Sequence, residues 1–160
     1  MAENQNQVAP SGIGGWLYLV AIGLCLTSIR LLVEIIRGLR PLNPPTWHAV
    51  TTPGMPAYHP FFGPLIVGEL VTNAALLVWA AVLLYLLFTK RRAFPGAMIA
   101  FLVVRLVVQF ADMLVARMIP AAAASVGPAV YGALAGGVLV VLIWVPYFLK
   151  SRRVATTFIH

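Results

Sequence analysis

The sequence predicts an all-α integral membrane protein, a four-helix bundle with both termini on the cytoplasmic side (N-in/C-in). Three observations predict it. The 160-residue chain is 61% hydrophobic and only 9% charged, with a mean hydropathy of +0.94, whereas soluble chains average about 45–50% apolar and about 25% charged residues. Four long proline-free stretches (11–40, 65–94, 96–119 and 129–145) each carry an apolar run. Lys and Arg gather beside alternate ends of those runs. The same composition excludes disorder, since disordered chains are poor in apolar side chains and rich in charge. Open strands are excluded because lipid offers no partner to unpaired backbone groups.

Proline breaks helices, and a crossing helix needs about 20 residues. The twelve prolines therefore bound expected spans at 13–36, 61–88, 95–119 and 128–149. At 1.5 Å rise per residue each is about 33–42 Å long, enough to cross. Residues 1–12 then form a cytoplasmic tail, 13–149 the four-span membrane domain, and 150–160 a basic cytoplasmic tail. The first span lacks the basic flank and the small-residue cleavage site of an export signal, so it is read as a retained anchor. Ile22-Gly23-Leu24 ahead of Cys25 ends in a bulky leucine, which argues against lipoprotein processing. Cys25 is read as a small buried apolar side chain. As the sole cysteine it excludes an internal disulfide and a multi-cysteine zinc site.

The outer loop falls within 37–60, and its stretch 41–60 holds six prolines, a spacing that disfavours a regular helix. Two readings stay open. One is a stiff loop whose Trp47 and Tyr58 rest as anchors at the outer interface. The other is a docking surface for a periplasmic or membrane protein partner. His48 and His59 have no Asp or Glu in that loop to complete a metal site. Lys90, Arg91 and Arg92 close the second span, and Lys150, Arg152 and Arg153 close the fourth. The third connection, Pro120 to Gly127, is uncharged. Basic flanks stay inside, so both clusters are expected in the cytoplasm. The formal charge of +7 becomes a belt facing the anionic headgroups of membrane lipids. Trp16, Trp144 and Tyr147 are further interface anchors. A nucleic-acid partner is not expected, because the cations sit at span ends and not in an aromatic-interleaved groove.

Charged side chains inside a bilayer cost several kcal/mol each, by about 2.5–3.5 on insertion scales, and so demand an explanation. The first span carries Arg30 and Glu34, the second Glu69 and Asn73, the third Arg105, Gln109 and Asp112. Spacings of three and four place each set on one helix face. Counted from the outer ends, Arg30, Glu69 and Asp112 lie about 9–12 Å deep, with Asn73 and Arg105 near the midplane. Arg30 and Arg105 balance Glu69 and Asp112, giving a neutral polar seam among three helices. The expected pairs are Arg30 with Glu69 and Arg105 with Asp112. The seam is either a static network that fixes helix packing or a polar pocket for a small ligand, ion or proton. The fourth span has no charge between Pro128 and Leu149, and carries Gly132 and Gly136 as G-x-x-x-G, with Ala129, Ala133 and Gly137 alongside. Small residues at this spacing admit close helix packing; homo-oligomerisation is the alternative use.

Catalytic signatures are absent. There is no Walker loop, dinucleotide glycine fingerprint or H-E-x-x-H, and no nucleophile elbow. All three histidines, His48, His59 and His160, lie outside the spans, so no membrane-embedded pair of haem ligands exists. No enzyme, cofactor or metal is expected. Internal repeats of the transporter kind are not visible.

A series of short motifs is distinctive: Gly12-Ile13-Gly14-Gly15-Trp16-Leu17, Glu69-x-x-x-Asn73, Arg92-Ala93-Phe94-Pro95, Asp112, and Ile143-Trp144-Val145-Pro146-Tyr147-Phe148-Leu149-Lys150, continuing to Thr157-Phe158. Over about 12–158 the chain resembles the YdgK-like proteins, small bacterial inner-membrane proteins of unknown function. The resemblance implies a four-helix bacterial membrane protein and carries over no functional residues. The expected role is a non-enzymatic accessory or scaffold subunit of the bacterial inner membrane. The alternative is a small transporter, channel or ligand-binding protein that uses the charged seam.

Overall fold

The computed structural model describes residues 14–124 and 126–159; the expected tail 1–12 lies outside the described residues. Its elements are α1 (Trp16–Leu39), a 3-10 turn (Arg40–Leu42), α2 (Pro44–Thr51), α3 (Phe62–Phe88), α4 (Phe94–Met118), α5 (Pro120–Ala123), α6 (Pro128–Lys150) and α7 (Arg152–Thr157). No strand occurs among the described residues. Helices α1, α3, α4 and α6 are each long and apolar enough to cross a membrane, which makes the chain a multi-pass membrane protein. Its packing agrees. Val78, Leu142 and Leu149 point outward at 65, 64 and 70% exposure, a surface that suits hydrocarbon, where apolar exposure costs nothing.

Helix α1 packs on α3, α3 on α4, and α4 on α6. Segment 40–61 joins α1 to the adjacent α3, and shorter connections join α3 to α4 and α4 to α6, so the bundle runs up and down. The rings of Trp16, opening α1, and Trp144, near the end of α6, lie 6.3 Å apart. One end of the bundle, the basic end, therefore carries Trp16, Lys90 to Arg92 and Lys150 to Arg153. The opposite end carries α2. A thin core runs between them through Leu24, Leu31, Leu83, Leu87 and Phe101, all nearly inaccessible.

Helix α2 corrects the expectation of an irregular outer loop. Asn43 caps it, its side-chain oxygen accepting from the Thr46 amide at 2.9 Å. Pro44 and Pro45 fall in the first turn, where amides have no intrahelical acceptor and proline's fixed φ favours the helix. Gly63 lets α2 approach α3: a Cβ there would sit 3.2 Å from Cγ2 of Thr51.

The α3–α4 turn ends in a Schellman arrangement. The Arg91 amide donates to the Leu86 carbonyl at 3.0 Å and the Lys90 amide to Leu87 at 3.2 Å, with Lys90 at φ 52°. Left-handed backbone costs an L-residue about 1 kcal/mol that glycine avoids. Lys90→Gly is expected to raise resistance to unfolding in SDS by about that amount; an unchanged midpoint contradicts the geometry.

The expected basic tail is folded back on the bundle. Ser151 caps α7, and Val154, Thr157 and Phe158 are buried. Phe158 stacks on Phe94 with centroids 4.7 Å apart, while Phe148 meets Phe94 edge-on at 5.9 Å. The Arg92 guanidinium fastens the end, its Nε donating to the Ile159 carbonyl at 2.6 Å. Cys25 also departs from its expected burial. It is exposed on α1, because the buried line of that helix runs through Leu17, Val20, Leu24 and Leu31.

Candidate functional site: a charged cleft at the α2 end

The helix periodicity that places Arg30 and Glu34, Glu69 and Asn73, and Arg105, Gln109 and Asp112 on single faces turns all three faces inward. These seven side chains line one cavity of about 430 Å³, with Arg37, Gly38 and Pro41 at its α2 end. Leu31, Ile66, Leu76 and Val108 complete the apolar part of its wall. Three arginines (Arg30, Arg37, Arg105) face three carboxylates (Glu34, Glu69, Asp112) across it. The cleft is neutral in sum and charged in detail.

The pairing differs from expectation. Arg30 Nε lies 2.8 Å from Glu34 Oε1, one turn along its own helix, not against Glu69. Neighbours four apart on a helix meet without ordering a second element, and that proximity wins. Arg105 does not pair with Asp112: its Nη1 donates to the Thr27 hydroxyl at 3.1 Å, tying α4 to α1. Among the described residues no cation lies within 4.0 Å of the Glu69 or Asp112 carboxylate. Thr27 was missed at the level of sequence, although it lies three residues before Arg30 and so shares its face. A charged hydrogen bond contributes about 1.5–3 kcal/mol. Thr27→Val, nearly isosteric, is expected to lower unfolding free energy by about 1.5 kcal/mol, measured in SDS titrations; no change contradicts the α1–α4 tie.

The helix-packing glycines shift by one residue. A Cβ at Gly132 or Gly136 meets no atom within 4 Å, whereas one at Gly137 would lie 3.1 Å from Leu106 Cδ1 and 3.4 Å from Gln109 Oε1. The face of α6 turned toward α4 contains Gly137, so that residue makes the close approach. Gly136 instead lines a second cavity of about 430 Å³ between α1, α4 and α6, which shares Arg30, Arg105 and Gln109 with the first. Nearer the α2 end, Arg117 donates to the Tyr131 hydroxyl with its guanidinium carbon 5.5 Å from the ring centroid, a second α4–α6 link not read from the sequence.

The aromatic anchors fall into two groups. Trp16, Trp144 and Tyr147 gather at the basic end, with Trp144 and Tyr147 5.5 Å apart. Trp47 and Tyr58 line a separate cavity of about 480 Å³ where α2 meets α3. Among the described residues no three His, Cys, Asp or Glu side chains are grouped to hold a metal ion.

A family model described as "Protein of unknown function (DUF2569)" matches residues 10–159 of the chain. No curated protein and no solved structure matches it.

Proposed function

For a chain that belongs to this DUF2569 family of unknown function, we propose a non-catalytic role in the bacterial inner membrane: binding a small polar, zwitterionic group in the cleft. Both termini face the cytoplasm, following the basic end, and the cleft opens toward the periplasm beside α2. The observation that carries this reading is the charge arrangement. Glu69 and Asp112 line the cleft with Arg105 and Arg37, yet the ion pair formed there is Arg30 with Glu34 on one helix. A network built only to fix helix packing would pair its charges between helices, because an uncompensated charge away from water costs several kcal/mol. A cleft left with separate cationic and anionic groups suits a ligand carrying both signs.

The test uses charged, membrane-impermeant thiol reagents on a Cys25→Ala background with Asn73→Cys. A cationic and an anionic methanethiosulfonate added from the periplasmic side are expected to react at rates within about threefold, since the local potential sums to zero. Failure of both to react contradicts an open cleft. A preference above about tenfold contradicts its neutrality. Labelling of Thr51→Cys and Thr156→Cys from opposite sides is expected on the same topology; labelling from one side contradicts it.

A second reading is supported by the Trp47 and Tyr58 cavity: α2 serves as a docking surface for a membrane or periplasmic protein, with this chain as its accessory subunit.

A further inference from the structure

Resting on the cleft reading, we propose that its ligand is a phospholipid with a primary-amine headgroup, phosphatidylethanolamine in chemistry, bound with one acyl chain in the groove between α1 and α6.

The groove arises because α6 packs along α4 and not along α1. The two meet at the basic end, through Trp16 and Trp144, and part above it. The parting contains the second cavity, of about 430 Å³, and an adjoining one of about 170 Å³ that shares Thr27, Leu102, Arg105 and Val140 with it. Two glycines open this space. Gly136 lines the upper part and Gly23 the lower, and a Cβ at either meets no atom within 4 Å. Its rims, Leu19, Leu26 and Val140, are exposed, so the groove opens sideways to the bilayer that surrounds the helices. An acyl chain is the apolar rod that medium supplies.

The upper end of the groove changes chemistry. Arg30 and Arg105 line the second cavity, whose lining holds no acidic side chain. Arg30 keeps its ion pair with Glu34 through Nε, and guanidinium groups recognise phosphate by charge-assisted hydrogen bonds through their remaining N–H groups. The same two arginines also line the charged cleft, which Glu69 and Asp112 line and the second cavity does not reach. Apolar groove, paired cations and paired carboxylates thus follow one another in the order chain, phosphate, ammonium. The cleft's lining contains no aromatic residue. A quaternary choline is held by aromatic faces, whereas a primary ammonium donates three hydrogen bonds, for which the carboxylates and the Asn73 and Gln109 amide oxygens are acceptors. A headgroup without a cation, such as glycerol, leaves the two carboxylates unmatched. Charge complementarity therefore selects ethanolamine over choline and glycerol.

The experiment is native mass spectrometry of the full chain, delipidated in detergent and titrated with phosphatidylethanolamine, phosphatidylcholine and phosphatidylglycerol of identical acyl chains. One phosphatidylethanolamine per chain is expected, favoured about tenfold over either competitor, as one or two charge-assisted hydrogen bonds allow. Gly136→Leu and Gly23→Leu send a side chain into the groove from positions where a Cβ meets no atom within 4 Å, and each is expected to lower occupancy at least tenfold; two plugs keep the test standing if one variant misfolds. Arg105→Gln is expected to weaken all three lipids, while Glu69→Gln with Asp112→Asn abolishes the preference for the amine. Equal binding of the three lipids overturns the proposal, as does full binding by both plugged variants. Competition by free phosphoethanolamine at the concentrations that suffice for the lipid also overturns it, because the acyl chain then contributes nothing. A lipid failure with Asn73→Cys still labelled by both reagents defeats this inference alone; loss of that labelling defeats the cleft reading beneath it.

Discussion

Arg105→Leu is expected to lower the unfolding free energy by about 3 kcal/mol, the largest effect of any polar substitution in the bundle. Removing one member of a partly buried charge group costs about 3–5 kcal/mol, because what remains is uncompensated. Here the change removes the bond from Arg105 to Thr27 and leaves Arg30 and Arg37 facing Glu34, Glu69 and Asp112. The lower end of the range applies because the cleft is open at α2 and water screens part of the imbalance. Asp112→Asn on the Arg105→Leu background restores neutrality, and is expected to recover about half of the loss. Such coupling between neighbours is typically about 0.5–3 kcal/mol. SDS titration of the two single variants and the double variant reads it. Strict additivity would mean that the two groups do not share one site.

Phe94→Ala is expected to cost about 3 kcal/mol as well, by a different route. In soluble cores Phe→Ala costs about 3–5 kcal/mol, combining transfer from water with the cavity left behind. A bilayer removes most of the transfer part, since lipid is as apolar as the core, and leaves the cavity part. Phe94 is wholly inaccessible and holds Phe148 edge-on and Phe158 face-on, so its loss undermines three elements together. The expected signature is local as well as global. Limited proteolysis should release the segment after Lys150 in Phe94→Ala at concentrations that spare the wild type. A segment equally resistant in both would contradict the docking of α7.

The four spans were legible because hydrocarbon imposes one rule on every residue within it, and proline punctuates that rule. The inward turn of Glu69, Asn73 and Asp112 was legible for a related reason: polar side chains at spacings of three and four have nowhere else to go in lipid. Partner choice was not legible. Whether Arg30 meets Glu34 or Glu69 depends on ångström-scale distances between helices, which depth counting does not resolve, and the intrahelical neighbour needs no such precision. Gly137 was legible only as one small residue beside Gly132 and Gly136, because the G-x-x-x-G spacing carries no information on how α6 is rotated. Helix α2 was hidden by its own prolines, which break a helix in the middle but start one when they follow a capping Asn43. The docked tail depended on Phe158, 64 residues away in sequence from the Phe94 it stacks on; composition marks the tail as basic and says nothing of that contact.

The orientation of α3 decides whether the cleft exists: Ile66, Glu69, Asn73 and Leu76 turn toward it, and Val67, Val71 and Val78 turn outward at 45, 63 and 65% exposure. Spin labels placed singly at positions 66 to 78 of the Cys25→Ala chain in lipid nanodiscs measure it directly. Collision with a water-soluble nickel chelate is expected to peak at 69 and 73, and collision with oxygen at 67, 71 and 78. Peaks in nickel accessibility at 71 and 78, or none along the helix, would contradict it.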